Sequence, residues 1–393
     1  MKIVLVHNSY QQPGGEDLVF DHECRLLENH GHQVIAYRRS NHEIDELSSI
    51  EKAMLLKRSI WANDTHHGFS QLLARENPDV VHVHNTFLMI SPSIYGACRD
   101  RGVPVVQTLH NFRLLCPSAT FFRDGKVCEE CVDRSLLRSV RYGCYRDSRP
   151  ATASLALMLA WHRHADTWNQ MVDCYVALTE FARNKFIASG FPGNRIVVKP
   201  NFVDPDPRAD HHGCDYAIFV GRLSPEKGLN VLIDAWARLP KGYSLHIAGD
   251  GPERNRLERR VRERNVAGVK FLGRLGHDDT IAALKAAKCL VLPSLCYEGF
   301  PMCIAEAFAC GVPVICSRLG GMQEIVEDGR TGLLFEPGNA ADLAKQIEWV
   351  WSHPSDLCVM GLEARREYEE RYTAEKNYAQ LMGIYEQAVA AYA

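Results

Sequence analysis

The sequence lacks a long hydrophobic run. Its longest apolar segment, ASLALMLAW from Ala153 to Trp161, has about half of the ~20 residues that a membrane-spanning helix needs. The amino-terminal MKIVLVHNSY is strand-like, and it lacks the apolar stretch and cleavage site of a secretory leader. We therefore expect a cytoplasmic protein, with peripheral contact to the inner face of a membrane as an alternative.

The sequence also lacks an excess of charge of either sign. Its 45 Lys and Arg against 48 Asp and Glu leave a net charge of -3, which argues against nucleic acid as a partner. A hydrophobic content of 46% and a charged content of 24% are typical of a soluble globular protein, and 393 residues suffice for two domains. Cysteine is not scarce. The fourteen cysteines are expected to be reduced thiols in a chain of this kind.

Short, β-branched runs alternate with helical segments along the chain. The first series includes KIVLV, VIAY, VVHVH and VPVVQTL, and the second, from Tyr216, includes YAIFVG, SLHIAG, CLVLPS and VPVIC. This alternation predicts an α/β protein with two Rossmann-like, doubly wound domains facing a cleft. We place the domains at 1–200 and 201–372, with a last helix, 373–393, crossing back to the first domain. Ligands of such sheets bind beyond the carboxyl ends of the strands.

The segment EGFPMCIAE follows one of these strands and carries two acids, Glu298 and Glu306. Pro301 suits the first turn of a helix, so the N–H groups of the residues around it are predicted to face an anion. Glu306 can accept hydrogen bonds from vicinal hydroxyls such as those of a ribose, and Glu298 from those of a sugar. The alternative is that both are ordinary solvent-exposed acids at the start of a helix.

Two further loops are predicted at the same sheet edge. VGRLSPEKGLN places Arg222 and Lys227 after a strand, where two cations suit a diphosphate. IAGDGPE forms another tight loop with Gly249 and Gly251. A single Gly-x-Gly is weak evidence, but three such loops together favour a nucleotide site.

These motifs resemble those of family 4 glycosyltransferases, which have the GT-B fold and a retaining mechanism. Glu298 and Glu306 match the family's E-x7-E motif, GGE resembles its glycine-rich loop, and VPVVQTLH resembles the strand that leads to a histidine, here His110. The resemblance covers the whole chain. Asn111 departs from the pattern, because many members have Asp after that histidine.

The resemblance implies a role for each matching position. Arg222 and Lys227 would stabilise the departing diphosphate, so that no divalent metal is required, and Glu306 would hold the ribose. His110 and Glu298 would face the sugar, and Gly14 and Gly15 would let the backbone approach the phosphates. The other expected nucleotide-sugar contacts are made by Gly249, Gly251, Arg274, Leu275, Phe300, Pro301, Met302, Cys303 and Ile304.

The predicted function is transfer of a sugar from a UDP- or GDP-linked donor to a glycan or lipid-linked acceptor in surface-polysaccharide assembly. Competing interpretations are a nucleotide-sugar epimerase or a sugar phosphorylase on the same fold, and a non-catalytic nucleotide-sugar binding protein. A phosphorylase needs a lysine segment for pyridoxal phosphate, which is not evident here.

A cysteine-rich insertion is predicted at 116–150 in the first domain. Cys116, Cys128, Cys131 and Cys144 have a spacing that can satisfy a structural zinc ion. Reduced thiols, a disulfide and an iron–sulfur site are the alternatives. The alternating His82 and His84 also suit a metal, although the end of a strand is the favoured interpretation.

The insertion is rich in arginine, with Arg134, Arg138, Arg141, Arg146 and Arg149 preceding the apolar run. Such a charge run is usually a solvated face. Beside an acceptor site it also suits an anionic membrane surface.

Overall fold

The computed structural model describes residues 1–11, 14–132, 135–209 and 215–392. The strands are β1 (Lys2–Ser9), β2 (Gln33–Ser40), β3 (Val80–Asn85), β4 (Val105–Leu109), β5 (Phe122–Arg123), β6 (Lys126–Val127), β7 (Cys174–Ala177), β8 (Ile196–Val198), β9 (Tyr216–Val220), β10 (Ser244–Ala248), β11 (Val269–Gly273), β12 (Cys289–Leu292), β13 (Val314–Ser317) and β14 (Gly332–Phe335). The helices are α1 (Gly15–Asn29), α2 (Glu43–Glu46), α3 (Ser49–Ile60), α4 (Asn63–Glu76), α5 (Ser93–Arg101), α6 (Leu137–Tyr142), α7 (Arg149–His164), α8 (Thr167–Met171), α9 (Glu180–Ala188), α10 (Leu229–Trp236), α11 (Arg254–Glu263), α12 (His277–Lys285), α13 (Met302–Ala309), α14 (Met322–Ile325), α15 (Ala340–Ser352), α16 (Pro354–Arg371) and α17 (Ala374–Ala390).

The chain divides into two compact units. The first contains residues 1–119, 129–200 and 377–393, and the second contains 120–128 and 201–376. Each unit has one six-stranded sheet, with the strand order β2-β1-β3-β4-β7-β8 in the first and β11-β10-β9-β12-β13-β14 in the second. All neighbouring strands of both sheets are parallel. The predicted pair of doubly wound α/β domains is therefore confirmed.

The central strands are buried because helices cover both faces of a doubly wound sheet. Every residue of β3, β4, β12 and β13 is buried, in keeping with their β-branched sequences. Side-chain caps fix several helix starts, as where the Asn339 side chain accepts hydrogen bonds from the N–H groups of Ala341 and Asp342 before α15. In the described part of the chain, no helix is both long enough and apolar enough to cross a bilayer.

The carboxyl-terminal helix completes the core of the first unit. Leu381, Ile384 and Tyr385 of α17 pack in one cluster with residues of β1 and α1. The helix was predicted to return to the first domain, and its residues from 377 onward do so.

The cysteine-rich segment is divided between the units, which differs from the prediction of one insertion at 116–150 in the first domain. Residues 120–128, with the short β5–β6 hairpin, belong to the second unit. There the fully buried ring of Phe121 lies 5.8 Å from that of Tyr297. A lone hairpin buries too few side chains to be stable. The contact between Phe121 and Tyr297 packs this hairpin against the second unit.

Candidate active site

In the second unit, two loops meet where the strand order reverses, between β9 and β12. Lys227 ends a short 3₁₀ turn after β9, and Glu298 lies in the loop after β12. The Lys227 Nζ lies 2.7 Å from Glu298 Oε1, and the Ser294 hydroxyl donates to the same oxygen at 2.7 Å. Such a reversal is where doubly wound sheets bind their ligands. The tertiary structure thus joins two residues that the sequence separates widely.

The two predicted cations of this edge are in different electrostatic states. Burial alone would lower the pKa of Lys227, because it disfavours the charged ammonium. The nearby Glu298 carboxylate has the larger opposite effect, so the pKa of Lys227 lies above its usual value. Arg222 is exposed, and its guanidinium makes no hydrogen bond or ion pair with any residue that the structure describes. One cation is therefore already paired, and the other is available to an anion.

The neighbouring glycine loop is tied to the loop after β9 by backbone contacts. A Cβ at Gly249, where φ is +146°, would lie 1.8 Å from the carbonyl oxygen of Gly221, and one at Gly251 would lie 2.4 Å from that of Leu223. The N–H of Leu223 donates to the Asp250 carbonyl at 2.9 Å. Glycine is needed at both positions because any side chain would push the loops apart.

Helix α13 begins directly after this edge, with Pro301 as its N-cap. The Ile304 N–H is bonded back to the Pro301 carbonyl at 3.0 Å, and the N–H groups before it have no helical acceptor. The Phe300 and Ile304 side chains are buried, with the Phe300 ring 5.5 Å from that of Tyr372. At these two positions only the backbone is suited to ligand binding.

Glu306 is the unusual residue of α13. Its side chain is buried, with 7% of the residue exposed, yet its carboxylate accepts no hydrogen bond from any described residue. Burial raises its pKa. A largely buried acid without a donor to its carboxylate can accept hydrogen bonds from a ligand with hydroxyl groups. The interpretation of Glu306 as a solvent-exposed acid is wrong.

Arg274 and Leu275, the residues predicted near the base, follow β11 at the same sheet edge. Arg274 is exposed and Leu275 is half-buried. Gly273, which ends the strand, accepts a hydrogen bond from the Gly249 N–H at 2.7 Å. This loop is therefore tied to the glycine loop.

In the first unit, Gly14 and Gly15 lie at the start of α1. The Gly14 N–H donates to the Asp17 carboxylate at 2.7 Å, and Asp17 in turn lies 2.9 Å from His7 Nε2. A Cβ at Gly14 would meet no atom within 4 Å. Packing within the unit therefore does not require glycine there.

His110 follows β4 and lines a cavity of about 60 Å³ within the first unit. Its Nε2 lies 2.9 Å from His84 Nδ1. Asn111 donates to the Glu16 carboxylate at 3.1 Å, and burial raises the pKa of Glu16 to about 7. An Asp at position 111 would repel Glu16, so the departure from the family pattern has a local physical reason.

Two family models match the chain in succession. "Glycosyltransferase Family 4" matches residues 13–207, and "Glycosyl transferases group 1" matches residues 208–372. The chain belongs to the family 4 type of glycosyltransferases. The family predicted from the sequence is thereby confirmed.

Relatives of this glycosyltransferase include a glycogen synthase and a D-rhamnosyltransferase. The chain is 30% identical over 282 residues to a glycogen synthase of Mycobacterium tuberculosis, covering 71% of this chain and 61% of the relative. It is 33% identical over 164 residues to the D-rhamnosyltransferase WbpZ of Pseudomonas aeruginosa, covering 41% and 42%. The matches thus span only about half of the length of these curated relatives.

Solved structures establish the GT-B fold of the glycosyltransferase. A sucrose-phosphate synthase from Thermosynechococcus elongatus superposes with a TM-score of 0.74 at 20% identity, covering 99% of each chain. The Anabaena protein HepE, solved with UDP and glucose, gives a TM-score of 0.66 at 20% identity, covering 98% of each.

The four cysteines of the glycosyltransferase do not assemble as the zinc hypothesis expects. Cys128 belongs to the second unit, whereas Cys116, Cys131 and Cys144 belong to the first. Among the described residues, the sulfurs of those three do not all lie within 4.8 Å of one another. Zinc binding stays a prediction, and metal analysis of the purified protein tests it.

A different group of residues does bring metal-ligating atoms together. Glu23, His82 and His84 of the first unit are buried, with ligand atoms within 4.8 Å of one another. However, Lys199 Nζ lies 2.7 Å from Glu23, and His82 contacts the hydroxyls of Tyr385 and Thr108, each at 2.7 Å. An ammonium already neutralises the carboxylate, so the group is better described as a hydrogen-bonded network than as a metal site.

Glu23 and Glu16 were missed by reasoning from the sequence. Glu23 lies on the buried face of α1, between Phe20 and Leu27. A charged residue at helical spacing among apolar ones is a signal that could have found it. Glu16, which is half-buried, gives no such signal, because its surroundings include Asn85 and Asn111 from distant parts of the chain.

Proposed function

We propose that the protein transfers a sugar from a UDP- or GDP-linked donor to a glycan or lipid-linked acceptor in surface-polysaccharide assembly. Transfer retains the anomeric configuration and uses no catalytic metal ion. The observation that carries the proposal is the group of charges at the strand-order reversal of the second unit: the Lys227–Glu298 pair, the unpartnered Arg222, and Glu306 buried in α13. The solved HepE complexes, which contain UDP and glucose, support a donor of this class.

Each group has a separate part in the proposed reaction. Arg222 and Lys227 stabilise the negative charge that develops on the diphosphate as the sugar leaves, and the N–H groups at the start of α13 add to this. Two fixed cations can supply this stabilisation without a divalent ion. Glu306 accepts hydrogen bonds from the ribose diol, while His110 and Glu298 bind hydroxyls of the transferred sugar. The acceptor hydroxyl attacks from the face that the diphosphate leaves.

Incubation with a panel of UDP-, GDP- and ADP-sugars tests this function. We expect one donor to raise the melting temperature, since a ligand that binds only the folded state stabilises it, and to release its nucleotide slowly. Stabilisation without release or transfer would favour a non-catalytic binding protein. Conversion of the sugar without transfer would favour an epimerase.

The Glu306→Gln variant should bind nucleoside diphosphate more weakly by roughly 1–3 kcal/mol, because an amide is a poorer acceptor for the diol. The free variant should nevertheless be more stable than wild type at neutral pH. The raised pKa of Glu306 means that the folded state binds a proton on this carboxylate more tightly than the unfolded state does. Wild-type stability is therefore lost as the pH rises from the ordinary glutamate pKa through the raised one.

Thermal unfolding from acid to neutral pH, with and without UDP or GDP, measures both effects. Glu348→Gln, at an exposed position of α15, is the matched control and should change neither quantity. A Glu306→Gln variant with normal nucleotide affinity would refute the ribose assignment.

We also propose that the first unit contacts anionic lipid through α6 and α7. Leu137, Tyr142, Leu157 and Trp161 are exposed large apolar side chains, at 73%, 47%, 51% and 57%. Arg138, Arg141, Arg146 and Arg149 are exposed in the same segment, and Arg134 lies outside the described residues. Apolar and basic side chains together suit an interfacial surface.

Sedimentation with vesicles of anionic lipid and with vesicles of neutral lipid tests this proposal. We expect the protein to sediment with the anionic vesicles. Binding to neither kind of vesicle, or equal binding to both, would contradict the proposal.

A further inference from the structure

A chain of buried polar groups leads to His110 inside the first unit. Lys199 Nζ donates to Glu23 Oε1 at 2.7 Å, and Glu23 Oε2 lies 3.1 Å from His84 Nε2. His84 Nδ1 then lies 2.9 Å from His110 Nε2. Lys199, Glu23 and His84 are each no more than 3% exposed. The chain thus runs from the protein interior to His110 on the cavity wall.

The charge of Glu23 fixes the hydrogen positions along this chain. Burial alone would raise its pKa, but Lys199 and His84 hold the pKa of Glu23 well below its usual range, so the carboxylate is ionised. A carboxylate can only accept hydrogen bonds. Nε2 of His84 lies 3.1 Å from Glu23 Oε2 without the alignment of a full hydrogen bond. The negative charge beside this nitrogen still favours a hydrogen over a lone pair there, so we assign the hydrogen of His84 to Nε2.

The same reasoning extends to His110. Burial lowers the pKa of His84 and holds that of His110 well below its usual value, so both rings are neutral. With its hydrogen on Nε2, His84 has a lone pair on Nδ1 and must accept there from Nε2 of His110. The hydrogen of His110 is therefore on Nε2, and its Nδ1 is unprotonated. That nitrogen has no hydrogen-bond partner among the described residues.

We propose that Glu23, acting through His84, is a positioning residue that holds His110 in the Nε2–H tautomer, so that Nδ1 of His110 accepts a hydrogen bond from a hydroxyl of the transferred sugar. The sugar's part in this proposal rests on the proposed function, whereas the tautomer does not. A carboxylate that orients a histidine through its distal nitrogen is an established device where the ring must present one nitrogen to a ligand.

Lys199 and the carboxyl-terminal helix hold the carboxylate in place. Lys199 also donates to the Asn377 side chain at 3.1 Å, and Asn377 donates to the Pro200 carbonyl at 2.9 Å. Both charged groups therefore have partners in the interior. Removing one charge alone would leave the other unpaired and destabilise the fold.

Nitrogen NMR of the wild-type protein labelled with ¹⁵N-histidine tests the tautomer directly, with His110→Gln used to assign the ring. We expect the resonance of His110 Nδ1 to have the shift of an unprotonated ring nitrogen and that of Nε2 the shift of a protonated one. The opposite pattern, or an averaged pair of shifts, would overturn the proposal. No substrate is needed, so this result is independent of the proposed function.

The paired variant Glu23→Gln with Lys199→Met tests the role of the carboxylate. It removes both buried charges together and so leaves neither uncompensated. We expect averaged His110 nitrogen shifts and a turnover about 10-fold lower, as for the loss of one hydrogen bond, with unchanged affinity for free nucleoside diphosphate. The control is Glu28→Gln, an exposed acid on the same helix, which should change none of these.

Each outcome has a separate meaning. An unchanged tautomer in the folded double variant refutes the role of Glu23, and averaged shifts with normal turnover refute the role of the tautomer. If the double variant does not fold, the wild-type spectrum still decides whether the tautomer exists. A wild-type protein that turns over no donor refutes the proposed function and leaves the spectrum to decide the tautomer.

Discussion

Replacing Lys227 with alanine should lower turnover of the sugar nucleotide by a factor of at least ~100 without unfolding the protein. The Lys227 ammonium is held 2.7 Å from Glu298 at the strand-order reversal of the second unit. It is thereby fixed in position before the substrate arrives. A preorganised cation beside the departing diphosphate acts chiefly on the transition state, where negative charge develops, so the loss should be in kcat more than in ground-state binding.

Steady-state kinetics and thermal unfolding of this variant, beside Lys241→Ala, provide the measurement. Lys241 is an exposed lysine of the same unit, so its replacement should leave turnover unchanged. Near-normal turnover by Lys227→Ala, with or without a lower melting temperature, would reduce the Lys227–Glu298 contact to a structural ion pair.

The Glu298→Gln variant should lose turnover by roughly 10- to 100-fold, the loss expected for a hydrogen bond to a charged group. Glu298 Oε1 already accepts from Lys227 and Ser294, which leaves its other oxygen for a sugar hydroxyl. Affinity for free UDP or GDP should stay close to that of wild type, because these ligands have no sugar beyond the diphosphate for Glu298 to bind. Lys227 should also be less firmly held, since the amide has no charge.

Kinetics with the sugar nucleotide, together with calorimetric titration of the free nucleotide, separate these effects. Glu263→Gln, at an exposed position of α11, serves as the control. Equal losses of free-nucleotide affinity in Glu298→Gln and Glu306→Gln would contradict the division of labour between the two acids.

The cysteine-rich segment is divided between the two units, which its cysteine spacing does not predict. Four cysteines in a segment of suitable length favour a metal site, but Phe121 takes residues 120–128 into the second unit. A rule based on cysteine spacing treats the segment as one continuous piece. It has no information about which of the two hydrophobic cores the Phe121 side chain enters. The position of Cys128 therefore depends on an aromatic contact rather than on its neighbouring cysteines.

The sequence by itself determined the fold class and the sheet edge of the candidate site. β-branched runs form buried parallel strands wherever helices cover both faces, and a glycine, a proline or an acid after such a strand lies at its carboxyl end. These are local or periodic properties, so Gly249, Gly251, Pro301 and Glu306 could be placed along the chain without any long-range contact. Only the tertiary structure decided that Lys227 pairs with Glu298, that Glu306 is buried without a partner, and that Lys199, Glu23 and His84 form a chain leading to His110. These contacts join residues that are far apart in sequence. Burial and charge pairing depend on which strands become neighbours in the sheet, and a local sequence pattern does not contain that information.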